Sequence, residues 1–414
     1  MYSYGIFEAS HYGEMKNIMK IAIDIKSALG EKTGKGVYAW NIVKEMVESG
    51  DGSNDKSKKH EFLLYSPDVE DPFLDELGKR KNVEIVKISE GGLKWHFRVF
   101  EEVASKYKNG KLDAYFSPSS FIVAAMFYAV KMIGGGPKVF ITIHDLVAFL
   151  YSATHNKRSV FIEKMTLKWA LKAANGVFAV SENTANDVAL KFGIPREKIV
   201  ITHNAVGEVF LENGASKKIG SGTDVKKKYN LPKKYILSLG TLVPRKNLPF
   251  TLRVFEELCK GKNGSEKGDL FEHELVIVGG KGWGGTSDEV LKIASENEKV
   301  HHLGYVPHED LPAIYAGADL FLYPSLYEGF GIPPLEAMAC GTPVIVSNMS
   351  SLPEVVGSAA IQIDPTNEQE MQDAILGLLK DEKKRQSLIK LGHERVKNFS
   401  WEKSAKTILD TMAS

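Results

Sequence analysis

Short apolar runs alternate along this chain with stretches whose apolar residues recur at helical spacing. Met19–Ile25 reads as a first buried strand, and Val37, Trp40, Val43, Met46 and Val47 then share one helical face. Further strands are expected at 62–65, 83–88, 115–117, 139–143, 177–180 and 199–202. Helical patterns at 161–172 and 184–192 lie between the last of these. A polar stretch from Glu212 to Lys228, with Ser216-Lys-Lys-Ile-Gly-Ser-Gly-Thr223 and a lysine run, reads as a surface insertion beside an interdomain connection. A second series of strands follows at 235–239, 275–278, 300–303, 320–323, 344–347 and 361–363. The alternation predicts α/β architecture with parallel sheets covered on both faces. Residues 50–60 and 261–268 are expected to be polar excursions, and 399–412 has the spacing of a closing helix.

Length and composition sharpen this picture. A chain of 414 residues exceeds one ordinary core, so two domains are expected, and 43% hydrophobic with 25% charged residues is the balance of a globular protein. A net charge of +1 gives no support for a nucleic-acid partner. The two cysteines, Cys259 and Cys340, fall in apolar helical patterns without metal-ligand spacing, which predicts buried free thiols and a cytoplasmic setting. The first eighteen residues lack the plan of a secretory signal, and the longest apolar stretch, 121–130, is too short to span a bilayer. Any membrane contact is therefore expected to be peripheral. Lys157, Arg158, Lys164, Lys168 and Lys172, interleaved with Phe161 and Trp169, are either a solvated helix face or a face for anionic headgroups.

Two doubly wound sheets bind ligands beyond the carboxyl ends of their strands, so the chemistry is sought there. Glu328-Gly-Phe-Gly-Ile-Pro-Pro-Leu-Glu336 joins a strand to a helix expected to end at Gly341, and it places two carboxylates beside backbone N–H groups. Glu336 is expected in the first helical turn, where the helix dipole alone favours an acid. Arg245 and Lys246 follow the strand at 235–239 and precede a helix carrying Leu248, Leu252, Phe255 and Leu258. A fork-shaped donor, a point charge and nearby amides suit a diphosphate. Gly30-Glu-Lys-Thr-Gly34-Lys-Gly36 is a glycine turn without a dinucleotide or NTPase spacing. His144 and Asp145 stand at the carboxyl end of the strand at 139–143. The remaining histidines, among them His203, His301 and His302, have no metal spacing, and no metal site is expected.

The string Pro324-Ser-Leu-Tyr-Glu328-Gly-Phe-Gly-Ile-Pro-Pro-Leu-Glu336-Ala-Met-Ala-Cys-Gly341 closely resembles the signature of retaining glycosyltransferases of family 4. Gly240-Thr-Leu-Val-Pro-Arg245-Lys246-Asn resembles their diphosphate-binding run. Val278-Gly279-Gly-Lys-Gly-Trp283 resembles their glycine-rich turn beneath the nucleotide, and Gly304-Tyr305-Val306-Pro307 the loop that pairs with the base. The resemblance spans most of 19–411. It leaves 1–18 outside, with Met19 a candidate start.

The resemblance implies a GT-B fold, two Rossmann-like domains facing across a cleft. An extension at 1–18 would precede an acceptor domain at 19–205 and a donor domain at 206–395, and a helix at 396–414 would return toward the first domain. It also implies transfer of a hexose, with mannose favoured, from a nucleotide diphosphate sugar to a hydroxyl of a glycan or lipid-linked acceptor, retaining the anomeric configuration without a cofactor or metal. GDP-mannose is favoured over UDP-glucose as donor. His144, Arg245, Lys246 and Glu328 would serve the reaction, with Asp145 orienting the His144 ring. Gly36, Gly240, Gly279, Tyr305, Val306, Gly329, Phe330, Gly331, Leu335 and Glu336 would bind the donor, Glu336 at the ribose. A nucleotide-sugar epimerase of the same fold, a phosphorylase or glucan synthase, and a non-catalytic nucleotide-sugar binding module stand as alternatives.

Overall fold

The computed structural model describes residues 18–30, 34–50, 59–151, 157–214, 222–260, 271–282 and 285–414. Most of the amino-terminal extension, the middle of the Gly30–Gly36 turn, the cores of both polar excursions, Trp283, and the side chains of Lys157 and Arg158 lie outside the described residues.

Seven strands form the first sheet: β1 (Lys20–Asp24), β2 (Glu61–Pro67), β3 (Val83–Ile88), β4 (Ala114–Ser117), β5 (Lys138–Ile143), β6 (Gly176–Ala179) and β7 (Ile199–Ile201), in the order β3-β2-β1-β4-β5-β6-β7. Six form the second: β8 (Tyr235–Leu239), β9 (Glu274–Val278), β10 (Val300–Gly304), β11 (Leu320–Tyr323), β12 (Val344–Ser347) and β13 (Ile361–Ile363), in the order β10-β9-β8-β11-β12-β13. The described pairings are parallel, with Ile21 opposite Phe62 in the first sheet and Leu237 opposite both Val276 and Phe321 in the second. In each sheet the earliest strand lies inside and the order reverses beside it, which is the doubly wound arrangement and sets a switch point at the carboxyl ends of its strands.

Burial on both faces explains why these strands read as continuous apolar runs. Ile21, Ala22 and Ile23 of β1 and Tyr235, Ile236 and Leu237 of β8 have no exposed surface. The helix Leu248–Lys260 lays Leu248, Leu252, Phe255 and Leu258 against Ile236, Leu275 and Ile277, and it closes one face of the second sheet. By packing the chain divides into two compact units. One holds Met1–Ile141, Trp169–Val177 and Glu402–Ser414; the other holds Thr142–Lys168 and Phe178–Trp401. The closing helix, Trp401–Ala413, therefore belongs almost wholly to the unit that contains β1.

Three local expectations change. The polar stretch after β7 is helical at both ends, Glu208–Gly214 and Gly222–Lys228, and Val225 is buried there, so its lysine run is the outer face of a short helix. The helix after Gly331 runs Ile332–Ala339 and stops before Gly341, with Cys340 as its cap. Both cysteines are free thiols, but Cys259 is only half-buried.

Candidate active site

After β8 the chain passes the buried Leu242 and Val243 and turns through a single 3-10 turn, Pro244–Lys246. Asn247 closes that turn with a left-handed φ of 57°, and its amide donates to the carbonyls of Pro324 (3.3 Å) and Pro365 (2.8 Å). The Arg245 carbonyl accepts from the Leu326 amide at 2.8 Å, and its guanidinium donates to the Tyr327 carbonyl at 3.1 Å. The cation turn is thus laced along the segment leaving β11. Arg245 Nη1 then meets Glu328 Oε2 at 2.7 Å, and Lys246 Nζ meets Glu328 Oε1 at 2.7 Å. The Lys246 ammonium also donates to the Tyr323 hydroxyl and stands 4.5 Å from the centroid of that ring.

Two cations share one carboxylate, and burial sets their balance. Burial alone would raise the Glu328 carboxyl, yet Arg245 and Lys246 outweigh it and hold the group down at about 2. Burial pushes the Lys246 ammonium down to about 8 against the pull of Glu328, and the Arg245 charge adds to that push. Burial opposes the Arg245 guanidinium too, but Glu328 prevails and raises it. Arg245 keeps 24% of its side chain exposed against 8% for Glu328, so its guanidinium is reachable from solvent.

The loop after Glu328 is held by hydroxyl groups. Ser350 Oγ donates to the Glu328 carbonyl (2.6 Å), Ser181 and Thr184 to the Gly329 carbonyl (2.5 and 3.1 Å), and Ser351 to the Phe330 carbonyl (2.8 Å). All peptide bonds described are trans. In a planar trans peptide the N–H points opposite to the C=O, so the amides of Gly329, Phe330 and Gly331 face away from those hydroxyls. Amides at a helix start suit an oxygen-rich ligand. At Gly329 a Cβ would lie 1.7 Å from the His144 carbonyl oxygen, so the loop backbone presses directly on that of His144. Gly331, with φ of 97°, leads into the helix. The Phe330 side chain turns inward against His203 and Phe399.

Glu336 lies in the second turn of that helix, because the helix starts at Ile332; the first-turn dipole argument does not apply to it. Its Oε2 accepts from the Tyr315 hydroxyl at 2.9 Å, and burial, opposed by that bond, pushes its carboxyl up to about 7. The Leu335 side chain is fully buried and leaves only its backbone to meet a ligand.

On the other side of β8, Gly240 and Gly279 back onto each other. Gly279 has φ of 147°, and a Cβ there would lie 2.1 Å from the Gly240 carbonyl oxygen. Lys246 packs over Gly240, where a Cβ would meet its side chain at 3.1 Å, so the glycine pair makes room for the cation. His302 Nε2 lies 2.8 Å from the Gly279 carbonyl. Beyond β10, Tyr305 is 63% exposed while Val306 is buried.

The structure therefore brings Arg245, Lys246 and Glu328 into direct contact, lays Gly329 on His144, and sets Gly240 beside Gly279 and Lys246. Gly36 is the third residue of the helix Gly34–Ser49 in the other unit. The Asp145 carboxylate accepts from the Val147 amide at 3.0 Å and so starts the short helix Val147–Leu150. Sequence reasoning missed Tyr315, Tyr323 and the tethers Ser181, Thr184, Ser350 and Ser351. Only Ser181 carried a local signal, as the N-cap of the helix Glu182–Phe192. Among the described residues no three His, Cys, Asp or Glu side chains gather as a metal cluster.

Residues 33–207 match the family described as Glycosyltransferase Family 4, and residues 223–395 that described as Glycosyl transferases group 1. The chain belongs to glycosyltransferase family 4. It is 35% identical to the O-antigen chain mannosyltransferase B of Escherichia coli over 63% of its own length and 66% of that protein's. It is 29% identical to the serotype-specific mannosyltransferase WbdA of Escherichia coli over 64% of this chain and 32% of that one. The matched stretch thus spans less than two thirds of each of these relatives, and about a third of the longer one. Anabaena HepE, solved in complex with UDP and glucose, superposes with a TM-score of 0.70 at 17% identity, over 95% of this family 4 chain and 99% of HepE. The pair of Rossmann-like domains is the GT-B fold.

Proposed function

We propose that the protein transfers a hexose from a nucleotide diphosphate sugar to a hydroxyl of a glycan or lipid-linked acceptor. The observation that carries this reading is the Arg245–Glu328–Lys246 cluster at the foot of a loop that leads into a helix start. Glu328 is the carboxylate in direct contact with both cations, Asp145 adds a weaker attraction, and the exposed edge of Arg245 leaves room for a further anion. A diphosphate fits that demand in charge and in fork geometry. As the glycosidic bond breaks, charge grows on the leaving phosphate, and cations already fixed by Tyr323, Tyr327 and Glu328 stabilise it without reorganising. This supports a metal-independent reaction.

The lone pairs that the cations leave open on Glu328, and the amides of 329–331, then hold the sugar hydroxyls. Glu336, oriented by Tyr315, takes the ribose hydroxyls. His144, whose backbone abuts Gly329, is the residue assigned to the sugar in this reading. Glu328 serves as a positioning group: both its oxygens are engaged by cations, which disfavours nucleophilic attack through it and supports same-face transfer with retention. In that route the acceptor oxygen bonds to the anomeric carbon, the bond to the diphosphate breaks, and the acceptor proton passes to the leaving phosphate. The mannosyltransferase relatives support mannose over glucose as the transferred hexose, and GDP-mannose is the donor proposed with it.

A thermal-shift series with GDP-mannose and UDP-glucose tests the donor, since a ligand at about 100 times its dissociation constant stabilises by about 2.7 kcal/mol. Stabilisation by GDP-mannose, release of GDP only with an acceptor present, and a product of unchanged anomeric configuration by NMR are expected. Donor consumed without acceptor would point instead to an epimerase.

A further inference from the structure

We infer that Glu354 is a positioning residue for the loop 328–331, a carboxylate that ties together the two sets of hydroxyls holding that loop. The inference rests on the reading of the loop as the sugar-binding segment of the donor site. Ser350 and Ser351, which hold the Glu328 and Phe330 carbonyls, stand immediately before the short helix Leu352–Val356, and Glu354 is the third residue of that helix. Ser181 and Thr184, which hold the Gly329 carbonyl, stand at the start of the helix Glu182–Phe192. Glu354 joins the two starts: its Oε1 accepts from the Glu182 amide at 2.9 Å and its Oε2 from the Asn183 amide at 3.3 Å. The same Oε1 lies 3.1 Å from His203 Nε2, and the His203 ring packs on Phe330 at 5.8 Å and on Phe399 at 5.4 Å between centroids. Glu354 therefore reaches Gly329 through Ser181 and Phe330 through His203.

An ordinary cap does not account for this arrangement. Ser181 already caps the helix Glu182–Phe192 by accepting from the Thr184 amide at 3.0 Å, and water can serve the remaining first-turn amides of a helix that starts at the surface. Here they go instead to an acid 172 positions further along the chain, set at the positive end of the helix. Burial would raise the Glu354 carboxyl, yet His203 and the two amides prevail and lower it, so it accepts as a carboxylate. Bonds to a charged acceptor are the strong ones. The other end of the tie is fixed as well: Arg395 donates to the carbonyls of Glu354 and Val355, the latter at 2.8 Å, and stands 5.0 Å from the Phe399 ring centroid. With glycine at 329 and 331 the loop backbone has little of its own to hold it, so its shape is set by these remote contacts.

Glu354→Gln in the full chain tests it. Glutamine keeps the size but offers one acceptor oxygen and an NH2 group, so whichever way it turns, one of the two helix amides faces a donor. In hydrogen–deuterium exchange read by mass spectrometry, the amides of 328–331 are expected to exchange about tenfold faster than in the wild type, while those of Tyr235–Leu239 keep their rates. Glu354→Asp, which keeps the charge on a shorter arm, should show the same pattern to a smaller degree, and Ser181→Ala should loosen the same loop with Glu354 in place. In a nucleotide-release assay with GDP-mannose, Glu354→Gln and Ser181→Ala should each lower kcat roughly 10- to 100-fold without changing the affinity for GDP. The double variant should cost no more than the costlier of the two, because the residues act in series. A carboxylate that served stability alone would lower the melting temperature and leave loop exchange and turnover of the folded enzyme alone. Wild-type exchange at 328–331, or losses of kcat that add in the double variant, would overturn the proposal. Faster loop exchange without any thermal shift from GDP-mannose would uphold the tie and count against the donor reading instead.

Discussion

Glu336→Gln separates the cost of the Glu336 charge from its use. The carboxyl is buried, receives the Tyr315 hydroxyl, and is pushed from 4.5 to about 7. A folded value above the unfolded one means that the stabilising contribution of this group is complete below pH about 4.5 and is lost once pH has risen through about 7. At 1.36 kcal/mol per pKa unit the loss is on the order of 3 kcal/mol. Glutamine keeps the shape and the acceptor for Tyr315 but has no charge to bury. Free of donor, the variant should therefore gain on the wild type as pH rises, by about 6–12 °C in melting temperature between pH 4.5 and 8.5 for a unit of this size. A constant offset from the amide cannot mimic that slope. The same change should weaken donor binding about 10- to 150-fold, the worth of hydrogen bonds to a charged group. Scanning calorimetry of both proteins across this pH range, and titration with GDP-mannose, provide the readouts. A pH-independent difference in melting temperature would refute the burial argument, and unchanged donor affinity would refute the ribose assignment.

Other outcomes follow from the same geometry. Arg245→Ala with Lys246→Ala should lower turnover roughly a hundred- to thousand-fold in a nucleotide-release assay, and wild-type turnover would remove the diphosphate assignment. Because burial holds Lys246 at about 8, donor affinity should fall as pH rises above 8, approaching tenfold per unit, and Lys246→Arg should flatten that dependence in calorimetric titration. Gly329→Ala places a methyl 1.7 Å from the His144 carbonyl oxygen and should cost roughly 1–3 kcal/mol in denaturant unfolding, together with donor affinity. If Gly329→Ala unfolds like the wild type, the close packing on His144 is wrong.

Much of this was legible because both sheets are buried on both faces. The strands Tyr235–Leu239, Leu320–Tyr323, Val344–Ser347 and Ile361–Ile363 coincide with the apolar runs that predict them. The 222–228 segment reads as a loop because a lysine run hides a helix that, among its described side chains, buries Val225 alone. The sequence puts Glu336 a turn too early because two prolines mark a helix start without saying which residue begins it, and the helix begins at Ile332. In the site, adjacency along the chain made Arg245 and Lys246 visible, as did the glycines around Glu328. The partners that fix them are remote in sequence: Tyr323 lies 77 residues from Lys246, and Ser181 lies 148 from Gly329. No local pattern encodes such pairs, so the tethers emerge only from the folded chain.

The hydroxyl tethers bear on how sugar preference can change. Amides carry no side-chain identity, and their direction at 329–331 is dictated by Ser181, Thr184, Ser350 and Ser351 acting on the opposite edges of the peptide planes. Two proteins with identical Glu-Gly-Phe-Gly strings can therefore present different hydrogen-bonding templates if their hydroxyl anchors differ by a fraction of an ångström. Attempts to redesign this loop for another hexose are better directed at the four anchors, where a Ser→Thr or Thr→Val exchange rotates a peptide plane, than at the glycines themselves.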